Sequence, residues 1–208
     1  MKHLHFKIFI FTLFAMGIVL GGCSSGKTVY ITSDKDSKAM VTMGIDYRDF
    51  EATATKAVDS MLMSNALYNS DGRRYVLLIG RFINDTTQRI DMDQLIKKIR
   101  VALLRSGKVI VTTAVGYNGP EDIMSRRVRA LRKDDEFNQK TIAKKGQLIS
   151  ADLSLSGKII QRAASISRSK QRVDYYFQLT LTDLDTGLAY WEDETVISKA
   201  GDNNTVTW

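Results

Sequence analysis

The spacing of apolar positions changes repeatedly along the chain, and each change marks an element. Residues 8–20 form an uncharged apolar run. Residues 24–43 are rich in Ser, Thr, Lys and Asp with scattered apolar positions, the composition of a tether. From Ile45 the period becomes helical. Phe50, Ala54, Ala57, Val58, Met61 and Leu62 recur every three or four residues, and Asp46 or Asp49 is placed to cap them. Residues 75–83 are nearly continuous apolar sequence, which predicts a central buried strand. Asn84-Asp85-Thr86-Thr87 predicts a turn.

Asp91 then opens the clearest helix. Gln94 stands at the capping-box position, Leu95, Ile96, Ile99 and Leu103 share one face, and Gly107 suits the residue past the C-terminus. Residues 109–115 predict a second strand. Asn118-Gly119-Pro120 predicts the start of a third helix, with proline in its first turn. Ile123, Val128 and Leu131 give that helix a weak apolar face, and Arg126, Arg127, Arg129, Arg132 and Lys133 make it basic. A short helix is expected over residues 135–143. The last third alternates with period two: Leu153, Leu155, Gly157, Ile159 and Gln161, then Val173, Tyr175, Phe177, Leu179 and Leu181. Asp185-Thr186-Gly187 predicts a tight turn, and residues 188–197 return as the partner strand. The order α-β-α-β-α-β-β-β predicts an α/β (α+β) fold, a small mixed β-sheet with helices packed on one or both faces.

Composition narrows the function classes. The 208 residues suit one ordinary domain with a tail, and the net charge of +7 is modestly basic. The rare residues matter more. His3 and His5 are the two histidines and Cys23 the one cysteine. If residues 1–22 are removed and Cys23 is modified, the mature chain keeps no imidazole and no free thiol. Ser-His-Asp and Cys-His catalysis then lack their base, His/Cys zinc sites lack their ligands, and an intrachain disulfide is impossible. No nucleophile stands with a base, so the reading is a non-enzyme with no catalytic residue, no cofactor and no metal site.

The N-terminus carries the compartment signal. Lys2 and Lys7 precede the apolar run 8–20, which is shorter than the about 20 residues of a spanning helix and suits a signal peptide. Leu20-Gly21-Gly22-Cys23 follows and resembles a bacterial lipobox. The expected product is a chain starting at Cys23, whose thiol carries a diacylglycerol, with palmitate-type acyl chains holding it to a membrane. Ser24, where Asp would favour inner-membrane retention, points to the periplasmic face of the outer membrane. Gly21, Gly26, Lys27 and Thr28 also match a P-loop pattern. The β-favouring Val29-Tyr30-Ile31-Thr32 then stands where a P-loop needs a helix. The expected divisions are a cleaved signal peptide (1–22), a lipidated tether (23–43), a globular domain (44–200) and a C-terminal tail (201–208). The tether reaches at most ~70 Å and averages about 25 Å if flexible.

Two acidic clusters, Asp134-Asp135-Glu136 and Glu192-Asp193-Glu194, read as a solvated helix start and an exposed edge. Consecutive strand residues alternate faces, so residues 192–194 do not converge on one cation. Lys158, Arg162, Arg168, Lys170 and Arg172 run without an intervening acid. They read equally as a basic docking face or as a solubilising edge that blocks strand-to-strand aggregation. Trp191, on the final hairpin, reads as core.

Four segments carry a family resemblance: Met43-Gly44-Ile45-Asp46-Tyr47-Arg48-Asp49-Phe50; Asn84-Asp85-Thr86-Thr87-Gln88-Arg89-Ile90-Asp91; Leu153-Ser154-Leu155-Ser156-Gly157-Lys158-Ile159; and 176–187 with Trp191-Glu192 after it. In order and spacing they resemble the penicillin-binding protein activator LpoB family, over roughly residues 43–200. The resemblance implies a TolB N-terminal-like fold and an outer-membrane lipoprotein. It implies a non-catalytic protein that docks on a bifunctional class A penicillin-binding protein, a peptidoglycan synthase, and stimulates cell-wall synthesis. Neither a nucleic acid nor a small-molecule substrate is expected. The tether of residues 23–43 is shorter than the Pro-rich linkers of the best-known members, and Pro120 is the one proline. Arg162, Arg168, Lys170 and Arg172 are the expected partner-binding residues.

The alternative from another class is an envelope assembly or secretion lipoprotein with a CsgG- or TolB-like domain. Its membrane hairpins need strands with an apolar outward face, whereas the hairpin over residues 173–197 carries Asp174, Glu192, Asp193 and Glu194, with Arg172 just before it. A P-loop NTPase is the more distant third reading.

Overall fold

The computed structural model describes residues 42–116 and 122–205. Helix α1 (Tyr47–Met63) opens at Asp46, whose carboxylate accepts from the Arg48 and Asp49 amides. The Asp49 carboxylate accepts from the Asp46 amide in return. Both acids therefore cap, each satisfying N–H groups that a helix start leaves orphaned. Phe50, Ala54, Ala57, Val58 and Met61 are the buried face. Helix α2 (Met92–Ser106) is capped by Asp91, which accepts from the Asp93 amide. It buries Leu95, Ile99 and Leu103 and stops at Gly107, where φ of 70° is a left-handed conformation that glycine adopts without a Cβ penalty.

The strands β1 (Tyr75–Asp85), β2 (Val109–Val111), β3 (Leu153–Ser165), β4 (Lys170–Asp183) and β5 (Ala189–Asp202) form one sheet in the order β2-β1-β3-β4-β5. β1 is parallel to β2 and β3, and β4 is antiparallel to both its neighbours. Leu77 and Ile79 pair with Leu153 and Leu155, and a register shift follows before Phe82 meets Gly157. The apolar positions of β4 alternate: Val173, Tyr175, Phe177, Leu179 and Leu181 are all buried, and Asp174 is the one outward residue between them that is buried too. The turn into β5 closes at Gly187, with φ of 74°.

The two long helices pack on each other. α1 also packs against β5, and α2 against β1 and β2. Trp191 is core, 7% exposed, and its indole Nε1 donates to Ser60 Oγ of α1 at 3.3 Å. β2 and β3 flank β1 on opposite sides and both run parallel to it. Right-handed crossovers to either side must run over opposite faces of the sheet. The β2–β3 connection contains α3 (Ile123–Ala130). Val76 and Ile142 are buried outside the main core.

Several expectations change. The second strand is three residues long, not 109–115. α3 begins at Ile123, and Asp122 caps it by accepting from the Met124 amide. Asn118-Gly119-Pro120 lies outside the described residues. α3 buries none of its residues, and Ile123 and Val128 are exposed, so its weak apolar face does not reach the core. Residues 135–143 form turns rather than a helix. Asp134 ends a 3-10 turn (Leu131–Lys133), and its backbone N–H bonds to Leu131 O. β1 runs on to Asp85, taking two residues from the expected turn, and β5 runs on to Asp202. Met43 is core: it is 5% exposed, and Gly201 lies so close that a Cβ there would meet Met43 Sδ at 2.8 Å.

Candidate docking surface

Two regions concentrate the polar chemistry of the described residues. The first lies where the chain enters the domain. Lys199 points inward from β5, and its Nζ donates at 2.6 Å both to Gly44 O and to Asp49 Oδ2. The buried Tyr175 hydroxyl donates to Met43 O at 3.1 Å. Burial, with the Asp49 charge adding to it, pushes that hydroxyl above its usual 10.0 and keeps it a donor. Gln88 closes the other side: its Oε1 accepts from Ile45 N at 2.8 Å and its Nε2 donates to Ile45 O at 2.9 Å. The 84–88 turn is built to hold that glutamine. Asn84 Nδ2 donates to Gln88 O, and Asn84 Oδ1 accepts from the Thr86 amide and hydroxyl. The segments 43–50 and 84–91, singled out in the sequence, are thus one clamp. Its hydrogen bonds fix the chain where it enters the domain.

The second region is the β3–β4 hairpin. Arg162 sits on β3 in register with Asp174 of β4. Arg172 Nε meets Asp174 Oδ2 at 3.0 Å, and Asp174 is 6% exposed. Lys170 is in register with Asp202, and Arg168 lies in the connecting loop. The loop is stitched to the end of β5. Asn203 donates from its backbone to Ser169 O and from its side chain to Arg168 O, and Gln171 Nε2 donates to Asp202 O and Thr205 O. Lys158, farther along β3, pairs with Asp85 at 2.7 Å, and the ammonium holds that carboxyl below its usual 3.8. The four basic residues expected to bind a partner therefore gather at one end of the sheet, on a braced hairpin. Arg162 and Arg172 share one face of it.

The remaining pKa shifts belong to structural pairs. The Arg73 guanidinium, bonded at 2.7 and 2.9 Å, holds Asp152 low. The Thr186 hydroxyl and amide hold Asp183 low at the β4–β5 turn. A groove of about 810 Å³ runs between α1 and α2 past Glu51, Asp93, Lys97, Lys98 and Arg105. Lys98 and Glu51 approach to 3.7 Å there, and its mixed charges lack the apolar enclosure of a ligand pocket. Among the described residues no group of three or more His, Cys, Asp or Glu is placed to hold a metal. No helix among them is long and apolar enough to cross a membrane. Cys23 and the P-loop-like residues 21–28 lie outside the described residues.

Sequence reasoning passed over two features. Lys199 is a buried lysine on an inward strand position. Tyr176 interrupts the polar positions on the outward face of β4; an aromatic residue where alternation calls for a polar one was the available signal.

A family model described as peptidoglycan-synthase activator LpoB matches residues 49–197. Among solved structures, the LpoB C-terminal domain from Escherichia coli is 15% identical, with 73% of this chain and 99% of that one covered and a TM-score of 0.42. The same domain from Salmonella enterica is 13% identical, covering 74% and 98%, with a TM-score of 0.39. Lipoprotein GNA1162 from Neisseria meningitidis is 13% identical, covering 64% and 87%, with a TM-score of 0.34. No curated protein matches the chain.

Proposed function

The chain belongs to the peptidoglycan-synthase activator LpoB family, and on that premise we propose that it binds a bifunctional class A penicillin-binding protein and raises its activity without doing chemistry itself. The observation that carries this reading is the family match over residues 49–197, which takes in α1 from Asp49 onward, α2, α3 and all five strands except the end of β5. The activator works by differential affinity: a protein that binds the synthase's active conformation more tightly than its inactive one shifts the population toward activity.

In this reading residues 1–22 are a cleaved signal peptide. Cys23 carries the acyl chains, and Ser24 directs the protein to the periplasmic face of the outer membrane. The residues between Cys23 and Met43 tether the domain, and those after Asp202 form its tail. Several acyl chains on one cysteine anchor firmly, at about 0.8 kcal/mol per buried CH₂. A tether of at most ~70 Å keeps the domain near that membrane, so the synthase must extend toward it. Arg162, Arg168, Lys170 and Arg172 contact the partner. Chemical cross-linking in intact cells, with capture of the full chain and mass spectrometry of its adducts, tests the reading. Recovery of a class A penicillin-binding protein is expected. Adducts confined to secretion components or to further copies of the chain would contradict it and favour the assembly role.

A further inference from the structure

The face of β3, β4 and β5 turned away from α1 and α2 carries an apolar row between charged ones. Ile160, Tyr176 and Val196 are in register across the three strands. None of the three belongs to the core or packs against it, and Val196 is 43% exposed. A solvated sheet face alternates polar residues outward, so three aligned apolar side chains make a patch rather than the scatter normal for a surface. The charges around the row are balanced and sorted by strand. On this face β3 carries Lys158 and Arg162, and β5 carries Glu192 and Glu194. Between them on β4, Asp174 is bridged to Arg172 at 3.0 Å, and farther out Lys170 stands opposite Asp202. Asp85 of β1 bridges to Lys158, whose ammonium keeps two further donors. Thr180 and Gln178 donate to Glu192 and Glu194 at 3.0 and 2.8 Å, which holds both carboxylates in place and leaves them charged.

That sorting selects a second copy of the chain. A partner surface of one sign would repel either β3 or β5, whereas the same face turned over offers both signs in matching order. A two-fold axis in the plane of the interface, running along β4, lays β3 of each copy over β5 of the other. Residues of one row then meet. Lys158 faces Glu194 of the second copy, Ile160 faces Val196, and Tyr176 faces its own mate across the axis. Asp174 also meets its mate, but it is 6% exposed and its charge is met by Arg172. An axis running across the strands would instead stack β3 on β3 and bring Lys158 onto Arg162, so charge rejects it. The favoured axis leaves both copies pointing the same way along their strands. Met43, where the chain enters the domain, lies against Gly201. Both entry points therefore stand at one end of the pair, as two chains tethered to one membrane require.

We propose that a second copy of this chain packs on the open face of β3, β4 and β5 about that axis, with the Ile160–Tyr176–Val196 row at the centre and two reciprocal Lys158–Glu194 pairs beside it. Packed sheets cross at about 30°, so the two Arg172 side chains, two rows from Tyr176, do not stack. Arg168, in the hairpin loop, lies beyond the paired rows and stays open to another partner. The paired region spans three strands and five rows, from Glu192 to Ala200 on β5. Its extent is roughly 14 Å by 35 Å, which places it at the small end of specific interfaces. Anchoring both copies in one membrane raises their effective concentration and favours so small a contact.

The test places a photo-reactive residue in the full chain in cells, as Val196→benzoylphenylalanine, with Leu104→benzoylphenylalanine on the exposed side of α2 as the control. The expected result is an adduct between two copies from position 196 and none from 104, with the attachment mapped by mass spectrometry to β3 around Ile160. In the same cells Glu194→Lys or Lys158→Glu alone creates two like-charge contacts and should lower the adduct yield at least tenfold. Combining the two substitutions in one chain restores opposite charges and should restore the yield. Attachment to β5 instead of β3, adducts from 196 to other proteins alone, or no adduct would overturn the proposal. So would a folded double variant that pairs no better than the single ones. If a single variant fails to fold, the attachment site still decides. Synthase binding stands or falls separately, by whether a synthase adduct is recovered at any position.

Discussion

Lys199 shows how one residue can hold an entry point together. Its ammonium is nearly buried and bonds to both Gly44 O and Asp49 Oδ2. Removing one partner of a buried pair leaves the other uncompensated, which costs about 3–5 kcal/mol. Lys199→Met is therefore expected to lower unfolding stability in denaturant titration by about 3 kcal/mol. A loss under 1 kcal/mol would mean that the pair is already solvated. Thr53 behaves oppositely. It is 1% exposed, and its hydroxyl finds no hydrogen-bond partner among the described residues. Thr53→Val removes that unpaired polar group at nearly constant volume, so thermal unfolding should shift upward, by about 1 kcal/mol of stability. Gly157 is required for space rather than for backbone freedom. A Cβ there would meet Leu179 Cδ2 at 2.7 Å, Phe82 Cε1 at 2.8 Å and Gln178 O at 2.9 Å. Gly157→Ala should cost about 1–3 kcal/mol by the same measurement, as overpacking does.

At the scale of elements, what was legible in the sequence was local. Asp46 and Asp91 cap helices because a carboxylate reaches amides two or three residues on, and Asp49 because it reaches three residues back to the Asp46 amide; both reaches are written in the spacing. The inward row of β4 is legible for the same reason, since period two needs no knowledge of the neighbouring strands. The failures share a different cause. The start of α3 and residues 135–143 lack a strong apolar stripe, so nothing local distinguishes a helix from a chain of turns there. The Ile160–Tyr176–Val196 row requires the register of three strands at once, and no single strand reveals it. The basic residues of the β3–β4 hairpin were visible one by one. Their bracing by Asn203 and Gln171 was not, because those contacts cross more than thirty positions of sequence. Shortening that brace with Asn203→Ala and Gln171→Ala should speed amide hydrogen exchange across residues 165–170 while leaving α1 unchanged. Equal exchange in both would show that the hairpin holds itself.

For the whole molecule, the titrating groups predict a broad plateau of stability. Asp152 and Asp183 are held below 3.8 by hydrogen bonds from Arg73 and Thr186. Burial opposes the same shift in Asp46, but the hydrogen bonds from Arg48 and Asp49, with the Lys199 charge, together outweigh it. Groups with depressed folded pKa values stabilise the fold above the unfolded value, and that stability is lost as pH falls through the folded one. Tyr175 is raised above 10.0 by burial, so its contribution is present below that pH and is lost as pH rises through the folded value. Both histidines, His3 and His5, lie outside the described residues. The midpoint of thermal unfolding should therefore be flat between about pH 5 and 9 and fall on either side. A step near pH 6.5 would contradict this assignment.

On the proposed reading the domain acts by binding alone, so its effect appears in the partner's rate. The most direct measurement is the glycan polymerisation rate of the purified class A penicillin-binding protein from the same cell, with and without residues 24–208 of this chain. The account predicts a faster rate that saturates with added chain and that falls away as salt screens the basic hairpin. An unchanged rate in the presence of demonstrable binding would contradict it, and would leave the protein a tether for the synthase rather than its activator.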